Sequence, residues 1–163
     1  MSSPAGHELT VTPVLLSDPL VRPLLRGLTD DYTRLYGPAA AEEMSRYPEA
    51  EFAPPHGLLL LLLQDGIAVA GGAYRRADPA TAELKRVWTH PAHRRRGLGR
   101  RMVTELENAA AARGYRRIFL TTGPRQPEAR DLYLRAGYTP LFDVATESET
   151  LPLLPFEKHL APV

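Results

Sequence analysis

A chain of 163 residues with 44% hydrophobic and 24% charged residues has the size and balance of one globular domain. The 20 basic residues against 19 acidic ones leave a net charge of +1, which excludes a general polyanion binder and confines any anion site to local clustering. The absence of cysteine excludes disulfides, thiolate zinc sites and a cysteine nucleophile.

Met1 to His7 lacks a basic stretch followed by an apolar one, so no secretory signal is expected. The longest apolar run, Leu58 to Leu63, is far short of the ~20 residues that cross a bilayer and reads as a buried strand. A cytoplasmic location is the expectation, and it suits a chain without cysteine.

Glu8 to Leu16 reads as a first strand. Asp18-Pro19 then gives a helix cap followed by proline at the first helical position. Leu20, Leu24, Leu25 and Leu28 recur at helical spacing, so a helix is predicted to about Tyr36, where Gly37-Pro38 ends it. Ala39 to Tyr47 reads as a second short helix, and Pro48 to Gly57 as a loop. Leu58 to Leu63 and Ile67 to Arg75 are two strands joined at Asp65-Gly66, a hairpin signal. Thr81 to Thr89 is a third consecutive strand. Its apolar residues change parity, with Leu84 and Trp88 assigned to one face and Val87 to the other. A β-bulge accounts for this, and so does burial on both faces.

Gly97 to Arg113 is the clearest helix, with Leu98, Met102, Leu106 and Ala109/Ala110 on one stripe and Gly114 closing it. Ile118 to Thr122 is a short strand, Glu128 to Ala136 a helix closed by Gly137, and Tyr138 to Phe142 and Leu153 to His159 the last strands. This order predicts a single α/β or α+β sheet with helices on its faces, spanning 1–163 as one domain.

The stretch His90 to Arg101 sits between a strand and an amphipathic helix. A helix start exposes unpaired N–H groups and a partial positive charge, and glycine lets a ligand approach the backbone closely. Gly97 and Gly99 each cost about 1 kcal/mol inside a helix relative to alanine. Their place in the first turn points to a pyrophosphate cradle. Neither a P-loop nor a dinucleotide fingerprint is present. The competing reading is a solvated basic helix start with glycines for tight packing.

Arg94-x-x-Gly97-x-Gly99 resembles the Arg/Gln-x-x-Gly-x-Gly/Ala signature of the GNAT acetyltransferase superfamily. Ala82 through Pro91 looks like that family's fourth strand running toward its third helix. Ala129-x-x-Leu132-Tyr133-x-x-x-Gly137-Tyr138 is similar to its later motif. The resemblance covers about residues 58 to 142. It implies a mixed, mostly antiparallel sheet of about six or seven strands with about four helices, splayed at strands 4 and 5. Acetyl-CoA would lie in that splay as the acetyl donor, with no metal.

By position, the resemblance places Arg94, Arg95, Arg96, Gly97, Leu98, Gly99 and Arg100 at the pyrophosphate. Val87 and Thr89 would pair with pantetheine through their backbones, with Trp88 packing nearby. Gln126 stands where the family often has Asn, and its longer side chain would contact a pantetheine amide. The resemblance also assigns Tyr133 as general acid and Glu83 as general base. A phenol of pKa about 10 keeps its proton at pH 7. The competing readings are an ion-paired strand carboxylate for Glu83 and a packing role for Tyr133. Asp30, Asp31, Tyr32 and Tyr36 fall where the family shapes its acceptor site, and two carboxylates there would suit a cationic amine.

The expected activity is direct acetyl transfer from acetyl-CoA to a primary amine of a small molecule or peptide in a ternary complex. The absence of cysteine favours that over an acetyl-enzyme. The alternative is a non-catalytic CoA-binding regulatory module. A nucleic-acid partner is disfavoured by the near-neutral charge, and no membrane partner is expected. A monomer or homodimer fits the family. His90 and His93 lack further ligands at a useful metal spacing.

Overall fold

In a computed structural model of the chain, which describes residues 8–39 and 46–161, seven strands form one sheet with three α-helices on its faces. The strands are β1 (Leu9–Pro13), β2 (Leu58–Gln64), β3 (Ile67–Asp78), β4 (Thr81–Thr89), β5 (Arg117–Thr122), β6 (Thr139–Pro140) and β7 (Leu154–His159). The helices are α1 (Arg22–Tyr36), α2 (Leu98–Ala112) and α3 (Pro127–Arg135). The sheet order is β1-β2-β3-β4-β5-β7-β6. Every neighbouring pair is antiparallel except β4 and β5. This mixed, mostly antiparallel seven-stranded sheet, with its one parallel pair at β4 and β5, is the architecture anticipated from the motifs. The short helix expected over Ala39 to Tyr47 lies mostly outside the described residues.

The leucine run of β2 is continuous because both faces of this strand are covered. Leu58, Leu60 and Leu62 join the core beneath α2 and α3, while Leu59 and Leu61 join the core beneath α1. Asp65 and Gly66 both adopt positive φ (53° and 76°) and connect Gln64 to its partner Ile67, as a two-residue hairpin turn requires.

Asp18 caps a 3-10 turn, Pro19–Val21, by accepting from the Leu20 N–H at 2.9 Å; α1 follows from Arg22. Gly114 and Gly137 close α2 and α3 with left-handed φ of 94° and 88°. Tyr138 donates its N–H to the Tyr133 carbonyl at 3.0 Å to complete the second closure. That bond removes Tyr138 from the strand expected over Tyr138 to Phe142, and Pro140 has no N–H to extend it, so β6 shrinks to two residues.

The parity change in β4 comes from a bulge, and it sorts the residues differently from the sequence-based assignment. Gly71 pairs with Trp88 and Ala73 with Lys85, so two steps on β3 oppose three on β4. Arg86 takes up the extra residue in the left-handed region at φ 62°. Leu84 and Val87 therefore share the α2 face, while Trp88 is carried to the α1 face. Arg86 is buried, with its guanidinium 5.5 Å from the Phe52 ring centroid.

Candidate functional site

The parallel ladder of β4 and β5 ends at Glu83–Phe119, although β4 continues to Thr89 and β5 to Thr122. Beyond that pair the two strands diverge. The His90 N–H donates to the Val69 carbonyl at 2.8 Å, so the backbone of His90 faces β3. The two-residue alternation of an extended strand then turns the backbone groups of Val87 and Thr89 the other way, into the gap. Their side chains lie on the α2 face; the Thr89 hydroxyl is 3.5 Å from where a Gly99 Cβ would stand. The gap thus offers unpaired strand groups to an extended amide-bearing chain.

At the α2 end of this gap the loop folds into a cradle. Arg95 (φ 63°) and Gly97 (φ 74°) both take left-handed conformations, and Gly97 is the cap residue of α2 with no side-chain cap. Arg101 is the first residue of α2 to donate back into the helix, to the Gly97 carbonyl at 3.0 Å. The N–H groups of Leu98, Gly99 and Arg100 therefore point out of the helix end. Leu98 is buried and anchors this turn in the core, while Arg94 to Gly97 are exposed.

The arginines of the loop divide by partner. Arg94 lies 3.9 Å from Asp31, and Arg96 donates to Gln64 Oε1 at 3.0 Å and to His93 Nδ1 at 2.6 Å. Burial, followed by the charge of Arg96 and the nearby His90, pushes His93 down from the usual imidazole range. His90 Nδ1 accepts from the Ala92 N–H at 3.0 Å, which assigns its proton to the other ring nitrogen. Among the described residues the guanidiniums of Arg95 and Arg100 form no ion pair or hydrogen bond, and both are exposed cations of the cradle.

Tyr133 is buried in the core cluster that also holds Leu84 of β4 and Leu98 of α2, with Tyr138 and Phe156 rings 5.5 and 5.8 Å away. Burial raises its phenol well above the ordinary range, and nearby Tyr32 adds to the effect. Tyr32 reaches this point from α1, where it also packs on Tyr36 at 6.4 Å. Tyr36 Oη accepts from the Arg125 N–H at 3.1 Å and overlies Gly123, where any Cβ would overlap the phenol. Asp31 pairs with Arg34 at 3.2 Å as well as facing Arg94, while Asp30 is exposed. The two carboxylates are thus not a shared cation site.

Three further residues assigned from the sequence are held by neighbours within the protein. Trp88 is core: its ring lies against Gly27 of α1, and its Nε1 is buried without a partner. Gln126 caps the β5–α3 turn, accepting from the Gly123 N–H at 3.0 Å and the Thr122 hydroxyl at 3.3 Å. Glu83 sits where the β4–β5 ladder ends. Its Oε1 accepts from Arg75 at 2.9 Å, and its Oε2 faces Lys85 at 3.7 Å. Arg75 also holds Glu51 at 3.0 Å and lies over the Tyr47 ring. Of the two ion-pair partners that the sequence offers Glu83, Lys85 and Arg116, Lys85 is the one it faces. Among the described residues there is no cluster of three or more metal-ligating side chains, and no helix is long and apolar enough to cross a membrane.

A sequence profile described as the acetyltransferase (GNAT) family matches residues 24–138. The chain belongs to that family. Acetyltransferases of this family transfer acetyl groups from acetyl-CoA. Among solved structures, this acetyltransferase is similar to a Klebsiella pneumoniae protein whose name describes an acyl-CoA N-acyltransferase. The two are 26% identical, with a TM-score of 0.73 over 94% of this chain and 98% of that one. A GNAT family acetyltransferase from Staphylococcus aureus Mu50 is 13% identical, with a TM-score of 0.75 over 94% and 100% of the two chains. A GNAT family acetyltransferase from Elizabethkingia anophelis, solved with acetyl-CoA bound, is 16% identical, with a TM-score of 0.69 over 94% and 99%. No curated relative matches the acetyltransferase by sequence.

Two site residues of this acetyltransferase escaped the sequence reading. Arg125 and Arg130 border a cavity of about 460 Å³ between the end of α1, the β5–α3 turn and the start of β7. Arg130 lies beside Ala129, inside the motif that ends at Tyr138. The signal was present there, but spacing does not tell which arginine lacks a carboxylate partner.

Proposed function

We propose that this enzyme acetylates a primary amine directly from acetyl-CoA in a ternary complex. The observation that carries the reading is the end of the β4–β5 ladder beside the uncapped start of α2, with Tyr133 in the same core cluster as Leu84 and Leu98.

The donor's pyrophosphate would lie against the N–H groups of Leu98, Gly99 and Arg100, with Arg95 and Arg100 adding charge. Its pantetheine would run along β4 as an added strand. The amine must first lose a proton, which costs about 4.6 kcal/mol at pH 7 for a lysine-like amine of pKa near 10.4. Glu83 would take that proton through water. Its ion pairs with Arg75 and Lys85 require it to release one partner first. The neutral nitrogen then attacks the thioester carbonyl carbon, and the Val87 N–H would steady the developing oxyanion.

The attacking nitrogen gives its second proton to water, the C–S bond breaks as the amide forms, and the Tyr133 hydroxyl donates a hydrogen bond to the departing thiolate. A thiol of pKa about 8.5 is a weaker base than this phenolate, so a hydrogen bond with shared proton is favoured over complete transfer. Tyr32 and Tyr36 would line the acceptor path. A thiol-release assay with acetyl-CoA over a panel of amines tests the reading. Acetylated amine in step with free CoA supports it, and tight CoA binding without transfer to any amine overturns it.

A further inference from the structure

The cavity between the end of α1, the β5–α3 turn and the start of β7 has a one-sided charge balance. Arg125 and Arg130 line it, together with Gln126, Ser148 and apolar residues that include Leu35 and Leu154, and among the described residues no Asp or Glu lines it. Both guanidiniums donate only to neutral oxygens. Arg125 Nη1 reaches the Leu35 carbonyl at 3.0 Å. Arg130 Nη1 bonds the Ser148 hydroxyl, and its Nη2 reaches the Val144 carbonyl at 3.1 Å. Among the described residues neither forms an ion pair. Asp143, on the neighbouring loop, instead caps its own turn by accepting from the Ala145 N–H at 2.9 Å. Glu128 is exposed and stands outside the lining. Two positive charges therefore remain uncompensated.

The cavity connects to Tyr133 through α3 and the core. Arg130 is one helical turn before Tyr133 on α3. Leu154 belongs to the same buried cluster as Tyr133. The volume suits a small organic molecule. A carboxylate is the group a guanidinium holds best, because charge-assisted paired hydrogen bonds are roughly twice as strong as those to neutral acceptors.

We infer that the acceptor is a small amine that also carries a carboxylate, which Arg125 and Arg130 hold while the amino group faces Tyr133. This rests on the amine-acetylation reading and narrows its substrate class. It also reverses the expectation from Asp30 and Asp31 of a cationic acceptor: Asp31 already pairs with arginines, and neither residue lines the cavity.

The test is acetyl transfer to matched pairs of amino acids and their amides, with increasing separation of amine from carboxylate, and to phosphate monoesters of amino alcohols. The acids should exceed their amides by about tenfold or more in kcat/KM, chiefly through KM, as expected for a charge-assisted contact. Arg130→Gln and Arg125→Gln should each bring that ratio toward unity. Arg130→Lys, which keeps the charge and guards against a loosened Ser148 contact, should restore part of it. Amides used as well as acids, or a ratio unchanged in both glutamine variants, would overturn the inference while leaving amine acetylation standing. Preference for the phosphates over the carboxylates would overturn the carboxylate assignment. Transfer to no amine of any charge would overturn the amine-acetylation reading itself, and this inference with it.

Discussion

The phenol oxygen of Tyr36 accepts a hydrogen bond from the backbone N–H of Arg125 at 3.1 Å, joining the last turn of α1 to the turn that starts α3. Gly123 leaves the room for that approach, and Arg125 returns a second bond to the Leu35 carbonyl. The wall of the cavity is thus built by two elements from opposite faces of the sheet, and Tyr36 ties them together.

Tyr36→Phe removes one hydrogen bond and should lower stability by about 0.5–1.5 kcal/mol in urea denaturation. It should raise the acceptor KM more than the acetyl-CoA KM. A variant whose acetyl-CoA KM moves while its acceptor KM does not would place Tyr36 in the wrong half of the site.

Gly27 lies inside α1, where alanine is the better helix former by about 1 kcal/mol. A methyl group there would overlap Trp88 Nε1. Overpacking of this kind costs roughly 1–3 kcal/mol, so Gly27→Ala should destabilise despite its higher propensity. A higher urea midpoint would mean that α1 and β4 do not pack this closely.

Tyr133→Phe should lower kcat by about a hundredfold, the lower end of the usual range for a general acid, with acetyl-CoA affinity held within about twofold. Burial raises the Tyr133 pKa, so the phenol keeps its proton at every pH up to and beyond the ordinary value of about 10. The wild-type rate should show no falling alkaline limb from this group below that pH. A fully active phenylalanine variant would remove Tyr133 from the chemistry.

Tyr74, Tyr115, Tyr133 and Tyr138 all have phenols raised primarily by burial. A raised folded-state pKa leaves stability intact below the unfolded value of about 10 and removes it as pH climbs toward the folded value. Absorbance titration of phenolate should therefore show four of the seven tyrosines ionising late, together with loss of the circular dichroism of the fold. Ionisation of all seven in one step near pH 10, with the fold intact, would contradict their burial.

The sequence made the loop, the hairpin and the helix stripes readable because each depends on local chemistry. Gly97, the Asp65-Gly66 turn and Leu98-Met102-Leu106 needed no knowledge of distant residues. The faces of β4 were not readable in the same way. A bulge at Arg86 exchanges the sides of the residues after it, and its location is set by pairing with β3, so Trp88 fell on the α1 face rather than with Leu84. Side-chain partners were harder still. Glu83 is held by Arg75 across the β3–β4 ladder, and Asp31 meets Arg94 from another element. The uncompensated Arg125 and Arg130 become visible only when the lining of the cavity is assembled in space.

The affinity of Gly99→Glu for acetyl-CoA, measured by calorimetry beside a thermal unfolding curve, bears most directly on the claim that the start of α2 holds the donor. A Cβ at Gly99 would make only ordinary contacts, the closest at 3.5 Å with Leu132 and Thr89, and a carboxylate in the first helical turn favours the helix dipole. The fold should therefore keep its melting temperature, while acetyl-CoA affinity falls by about a hundredfold or more as the carboxylate meets the pyrophosphate. A stable variant that binds acetyl-CoA as tightly as the parent would contradict the account.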